Sequence, residues 1–315
     1  MKKIFRLGTR GSPLALIQAQ IVRDELYRTY PDLRQEADIE VVPIRTTGDW
    51  SPSQREQTFL EMGGNKGLFT KEIEEALLGG MIDFAVHSMK DVSVFVSPEL
   101  TYAAFLKRED PRDALLSPLA PRLADLPQGA RVGTSSLRRK SQILAMRPDL
   151  KVTPLRGNVD TRLKKLAAEE ADATILAVAG LRRLGRMDAV SSIFEPQEIL
   201  PAAAQGILGV QIRADAQDLH DFLAPINHVE TQACATAERA LLRALDGSCR
   251  MPIAAYAQIV QGQINLEALV ASPDGRQIIR QTAKGNMDHA DQIGYDLGIQ
   301  MKAQLSSDFF LCNAS

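Results

Sequence analysis

A short apolar run, a loop and then a capped helix recur through the first two thirds of the chain, and this alternation confines the fold to βα architecture. Ile4-Phe5-Arg6-Leu7 is a strand candidate, and Ser12-Pro13 supplies a helix cap with proline at the first helical position. Leu14, Ile17, Ile21 and Val22 follow at helical spacing. Ile39 to Ile44 reads as the next strand, Leu68 to Leu78 as a helix stopped by Gly79-Gly80, and the apolar run from Ile82 to Val86 as a buried strand. A charged stretch with a proline, Lys107 to Asp113, suits a domain crossing. Beyond it Arg131 to Thr134 is a strand end, and Ser135-Ser136 cap a helix through Ile143 and Leu144. Lys151 to Leu155 is a strand, Arg156-Gly157-Asn158 a turn, Thr161 to Ala168 a helix, and Ala173 to Val178 a strand that leads to a helix over Leu181 and Leu184.

The last third changes character. After a helix from His228 to Leu245, Ala255 to Val260 and Gln263 to Val270 flank a turn at Gln261-Gly262, and Ser272-Pro273-Asp274-Gly275 precedes Gln277 to Arg280. Short strands joined by tight turns predict an antiparallel sheet, which one amphipathic helix at about 290 to 305 can cover. The expected class is α/β: two βα domains with parallel or mixed sheets, plus a small C-terminal α+β unit.

At 315 residues there is room for two or three domains. A net charge of -2 argues against nucleic acid as a bulk partner, and no apolar stretch approaches a membrane span. The start, Met1 to Gly8, lacks the long apolar core of a signal peptide, so cytoplasmic residence is expected. The three cysteines, Cys234, Cys249 and Cys312, form no CxxC pair and the four histidines are scattered, so neither a disulfide scaffold nor a metal site is expected.

Arginines gather where strands end or helices begin: Arg10, Arg138-Arg139, Arg156, Arg162 and Arg182-Arg183. Hydroxyls accompany several of them, with Thr9 and Ser12 near Arg10 and Thr134 to Ser136 before Arg138. Helix N-termini and guanidinium forks both favour anions. One such arginine is unremarkable; so many, at loops that a doubly wound fold turns toward one crevice, predict a ligand with several carboxylates or phosphates. Gly63-Gly64-Asn65-Lys66-Gly67 is neither a P-loop nor a dinucleotide fingerprint, so no nucleotide cofactor is expected.

Asp91 closes the run Ile82 to Asp91, at the strand end where a catalytic acid would stand, and it reads equally well as a turn cap. A carboxylate among arginines stays ionised and can stabilise positive charge that develops on a bound molecule. Lys90, if still on the strand, points to the opposite face. Cys249, in the loop Gly247 to Pro252 beside Arg250, is either an inert buried thiol or an accessible one with thiolate character.

The segments Thr9-Arg10-Gly11-Ser12-Pro13-Leu14-Ala15-Leu16, Lys66-Gly67-Leu68-Phe69 and His87-Ser88-Met89-Lys90-Asp91 resemble the porphobilinogen deaminase, or hydroxymethylbilane synthase, family. So do Gly133 to Arg139, Leu155 to Val159 and Ala179 to Gly185, in family order along nearly the whole chain. The resemblance implies two periplasmic-binding-protein-like domains, 1–106 with 200–223 and 107–199, and a third α+β domain, 224–315. It implies a transferase that condenses four porphobilinogen molecules on a covalent dipyrromethane primer, with loss of ammonia, and then hydrolyses off the linear tetrapyrrole hydroxymethylbilane. Cys249 would carry the primer through a thioether, and Asp91 would be the catalytic acid. Lys90, Ser136, Arg138, Arg139 and Arg162 would bind the cofactor; Arg10, Ser12, Phe69, Arg156 and Arg183 would bind substrate. The implied enzyme is a cytoplasmic monomer without nucleic-acid or membrane partners.

The chain departs from the family pattern at Ser93 for a usual proline, at Ala204 and Ser248 for usual glycines and at Ala254 for a frequent one. The segment Trp50 to Glu61 is also long, and Asn65 is extra. These departures bear on loop and hinge geometry rather than on the charged residues. Two rival readings keep the basic crevice: a non-catalytic anion-binding module, and a cysteine-nucleophile transferase with no attached cofactor.

Overall fold

A computed structural model describes residues 2–46, 70–246, 251–306 and 309–310. Its strands in chain order are β1 (Lys3–Arg10), β2 (Ala37–Ile44), β3 (Phe84–Ser88), β4 (Leu100–Phe105), β5 (Asp113–Leu116), β6 (Arg131–Gly133) and β7 (Lys151–Thr153). They continue with β8 (Ala173–Ala177), β9 (Ser192–Ile193), β10 (Leu208–Arg213), β11 (Ile253–Val260), β12 (Gln263–Ala271) and β13 (Ile278–Asn286). The helices used below are α1 (Pro13–Thr29), α2 (Lys71–Leu78), α3 (Leu137–Met146), α4 (Val159–Ala167), α5 (Val178–Arg183), α6 (Gln217–Leu223), α7 (Val229–Ala244) and α8 (Ala290–Lys302). The chain divides into two compact units, 1–108 with 207–232, and 109–206 with 233–315.

The first unit holds one five-stranded sheet in the order β2-β1-β3-β10-β4. β1, β2 and β3 run parallel, whereas β10 is antiparallel to both of its neighbours. The sheet is buried on both faces, as parallel strands require. Phe84 and Val86 point into one core with Leu7, Val22, Leu26 and Val210, while Ala85 between them packs with Ile73, Leu77 and Ile82 on the other side.

The second unit holds two sheets. Five strands run β7-β6-β8-β5-β9, with β6, β7 and β8 parallel and β5 antiparallel to β8. Residues alternate faces again: Leu115 and Ile175 join Val132 and Ile143, whereas Ala114, Leu116 and Leu176 join Val178 and Leu181. The remaining sheet is antiparallel, β11-β12-β13. Its inner positions Ile264, Leu266, Ala268 and Val270 pack with Leu241 of α7 and with Leu297 and Met301 of α8.

The α/β class, the mixed sheets and the C-terminal antiparallel sheet are as expected. Four strands escape the sequence reading: β4, β5, β9 and β10. Each is antiparallel to its partners, and β10 reaches β3 and β4 only after the chain has passed through the second unit. Such a pairing leaves no local periodic signal. α4 also begins earlier than Thr161, because Asn158 ends the turn by capping the helix, its Oδ1 accepting from the Thr161 N–H at 2.8 Å. The expected starts and stops at Leu68 and Gly247 lie outside the described residues.

Candidate active site

In the first unit, the parallel strands β1 and β3 are neighbours, so Arg10 and Ser88 finish at the same edge of the sheet. Ser12 caps α1 there, with its Oγ accepting from the Ala15 N–H at 3.3 Å and Pro13 following it. One turn further, the buried Gln18 reaches Ser88, with Nε2 2.9 Å from Oγ. The first turns of α1 are thereby tied to the end of β3.

Beyond Ser88 the strand does not continue. Met89 to Asp91 form one 3₁₀ turn, fixed by the Met89 N–H donating to Ile207 O at 3.0 Å. Met89 is buried, and Lys90 and Asp91 are both exposed. The expected opposition of Lys90 and Asp91 across a strand therefore gives way to a turn in which neighbours are roughly 120° apart. Arg10, Ser12, Lys90 and Asp91 thus belong to one edge of the first unit. Ser93, two residues on, accepts from the Phe95 N–H at 3.1 Å, so this serine makes its own local turn.

In the second unit, the carboxyl ends of β6, β7 and β8 lie along one edge and lead into α3, α4 and α5. Ser136 caps α3, and Arg139 is the residue whose N–H it accepts. Arg156 is exposed in the loop after β7 and has no ion pair among the described residues. Arg162 donates from Nε to Gly157 O at 2.9 Å. Gly157 is required there: its φ is 121°, and a Cβ would stand 2.6 Å from Thr161 Cγ2. Arg183 is half-buried and donates from Nη2 to Gly206 O at 2.8 Å. Burial pulls its pKa down, and Glu109 opposes that shift.

Arg138 and Arg139 are buried, with a partner that sequence reasoning missed. Asp113, at the start of β5, is fully buried between them. Its Oδ2 accepts from Arg138 Nη2 at 2.8 Å and from Arg139 Nε at 3.2 Å, and its Oδ1 accepts from Arg139 Nη2 at 2.7 Å. Burial alone would raise the carboxyl's pKa, but the two guanidiniums outweigh it and hold Asp113 well below the usual carboxylate range. Burial also lowers the pKa of Arg138. Nη1 of Arg138 goes to Leu200 O at 2.7 Å and Nη1 of Arg139 to Ile175 O at 2.9 Å. Two cations facing one carboxylate leave one positive charge in excess, which suits an acidic ligand. In sequence Asp113 was only part of a charged stretch; its signal was a lone Asp opening an apolar run.

Phe69 and Cys249 lie outside the described residues, as do Ser248, Asn65 and Trp50 to Glu61. Among the described residues no helix is long and apolar enough to cross a membrane.

Each unit thus has a parallel-strand edge that bears capped helices and cations, the build of an α/β protein that binds carboxylates or phosphates. Two family models match the chain: "Porphobilinogen deaminase, dipyromethane cofactor binding domain" over residues 5–221, and "Porphobilinogen deaminase, C-terminal domain" over residues 232–303. The porphobilinogen deaminase of Nitrobacter winogradskyi is 47% identical over 304 residues, covering 96% of this chain and 94% of that protein. The chloroplastic porphobilinogen deaminase of Pisum sativum is 47% identical over 311 residues, covering 98% and 83%. Among solved structures, the methionine binding protein MetQ matches 74% of this chain and 94% of its own at 12% identity, with a TM-score of 0.43. The chain belongs to the porphobilinogen deaminase family, and the expected dipyrromethane cofactor is that of its matched cofactor-binding domain.

Proposed function

We propose that this chain condenses four porphobilinogen molecules in sequence and releases hydroxymethylbilane, with Asp91 as the catalytic acid and Cys249 as the attachment point of the cofactor. The observation that carries the assignment is Asp91 exposed on the turn after β3, at the strand edge that also bears Arg10. In each round the aminomethyl C–N bond of porphobilinogen breaks and ammonia leaves. A carbon–carbon bond then forms at the free α-carbon of the preceding pyrrole, which loses its proton. Both stages put positive charge on a pyrrole ring, and the Asp91 carboxylate stabilises it by accepting the ring N–H.

The donor set fits the cofactor, since every pyrrole of this type brings two carboxylates. Lys90, Ser136, Arg138, Arg139 and Arg162 take those of the cofactor, and the excess charge of the Asp113 cluster favours an acid there. Arg10, Ser12, Arg156 and Arg183 take those of the incoming substrate, with Phe69 beside the rings. The dipyrromethane supplies the pyrrole α-carbon at which chain growth begins. The same proposal includes a three-domain division at 1–106 with 200–223, 107–199 and 224–315, and a cytoplasmic monomer that acts without nucleic acid or membrane.

The decisive measurement is the intact mass of denatured protein from cells that make porphobilinogen. The expected result is a mass above that of the bare polypeptide, lost in Cys249→Ser and kept in Asp91→Ala. Asp91→Ala should release ammonia at least about 100-fold more slowly, the scale of a lost charge-stabilising group. A bare-polypeptide mass for the parent chain would return the site to a simple anion-binding module, and full turnover by Asp91→Ala would remove its catalytic role.

A further inference from the structure

Resting on the proposal that Arg138 and Arg139 hold cofactor carboxylates, we infer that Gln205 is a positioning residue for that pair. Gln205 is buried, and its Nε2 donates to Pro111 O at 2.6 Å and to Asp113 Oδ1 at 2.9 Å. An amide nitrogen has two protons, and these two acceptors use both. Asp113 Oδ1 is the oxygen that also receives Arg139 Nη2. Gln205 therefore fixes the carboxylate to the backbone before β5, and the carboxylate fixes the two guanidiniums.

The backbone on either side of Gln205 is shaped for this task. Ala204 has φ 58° and Gly206 φ 89°, so the turn is left-handed around the glutamine. The Ala204 N–H is held by the buried Glu238 of α7, whose other oxygen accepts from the Ala257 N–H of β11 at 2.7 Å. On the far side, Gly206 O receives Arg183 Nη2. Two consecutive residues, Gln205 and Gly206, thus touch Asp113 and Arg183 respectively, and through Asp113 reach Arg138 and Arg139. A neutral amide is the fitting donor. It orients Asp113 without cancelling the excess positive charge, whereas a second carboxylate would cancel it.

The test compares Gln205→Met, Gln205→Asn and Arg139→Leu, each as the full chain made in cells that supply porphobilinogen. Intact mass gives the fraction that carries the cofactor, and thermal melting of the apo-protein reports the fold. The expectation is that Gln205→Met melts as the parent does but carries roughly tenfold less cofactor, the scale of a lost orienting contact. Gln205→Asn, which keeps the amide on a shorter stem, should fall between them. Normal loading of Gln205→Met beside defective loading of Arg139→Leu overturns the inference alone. Normal loading of folded Arg139→Leu instead overturns the assignment of the arginines on which it rests. If neither Gln205 variant retains the parent's melting transition, the residue is structural and the inference falls.

Discussion

Arg139 grips the fully buried Asp113 with both arms of its fork, Nη2 to Oδ1 at 2.7 Å and Nε to Oδ2 at 3.2 Å. A bidentate pair of this kind is directional as well as strong. Arg138 shares the same carboxylate, so its removal strands two buried cations at once. Asp113→Ala should therefore cost at least about 3–5 kcal/mol, the range for breaking a buried ion pair from one side. Denaturant unfolding of the full chain measures it, and a loss below about 1 kcal/mol would contradict the buried-triad picture.

The same carboxylate sets an acid limit on stability. Its pKa in the folded chain is depressed below the unfolded value of about 3.9. A depressed pKa contributes stability that is fully present above the unfolded value and is lost as pH falls toward the folded one. The Asp113 contribution should thus be flat across neutral pH and decline only below about pH 4. The gap between the melting temperatures of the parent and Asp113→Asn, followed from pH 7 to pH 3, should hold to about pH 4 and then begin to narrow; a gap that stays constant would rule the linkage out.

Packing in the C-terminal part gives a steric prediction. Gly294 and Gly298 lie one turn apart on α8 and face α7. A Cβ on Gly294 would sit 2.0 Å from the carbonyl oxygen of Ala237, and one on Gly298 would sit 2.8 Å from that of Leu241. Backbone cannot yield as a flexible side chain does, so the helices must separate. Gly294→Ala should destabilise by about 3 kcal/mol or more, despite alanine's better helix propensity. Gly298→Ala should cost less. Equal melting temperatures for Gly294→Ala and the parent would refute the close helix contact.

Ala204 supplies the opposite case, a non-glycine residue at φ 58°. A left-handed alanine costs roughly 1–2 kcal/mol, and glycine there returns about 0.5–1 kcal/mol of that in chain entropy. The balance predicts that Ala204→Gly stabilises by about 0.5–1 kcal/mol. An unchanged or lower unfolding midpoint would mean that the surrounding contacts already relieve the strain.

How much of this could be read from the chain follows from the range of each interaction. Ser12 and Ser136 were legible as caps because the signal is local: a hydroxyl residue immediately before a periodic apolar run. The βα alternation was legible for the same reason. β10 was not, because Leu208 pairs with Ser88 across an interval that holds a whole other sheet. The turn after β3 was legible only as one of two alternatives, because nothing in Met89-Lys90-Asp91 itself specifies it; the Met89 N–H finds its acceptor at Ile207. The arginines were legible as a group but not as individuals. Whether a guanidinium faces solvent or another side chain depends on residues such as Asp113, which join it only in three dimensions.

That difference between individual arginines is itself testable. Arg139 is buried on Asp113, whereas Arg156 is exposed after β7 and has no ion pair among the described residues. Removing Arg156 breaks no internal charge pair, so Arg156→Leu should change stability by less than about 0.5 kcal/mol. If it contacts a substrate carboxylate, the loss of a charged hydrogen bond should lower kcat/KM by roughly 10- to 100-fold, or about 1.5–3 kcal/mol. Arg139→Leu should instead lose both fold stability and cofactor. Steady-state kinetics and melting on the two variants therefore separate the roles. An Arg156→Leu enzyme with parental kcat/KM would place substrate recognition on other cations, with Arg10 and Arg183 the next to examine.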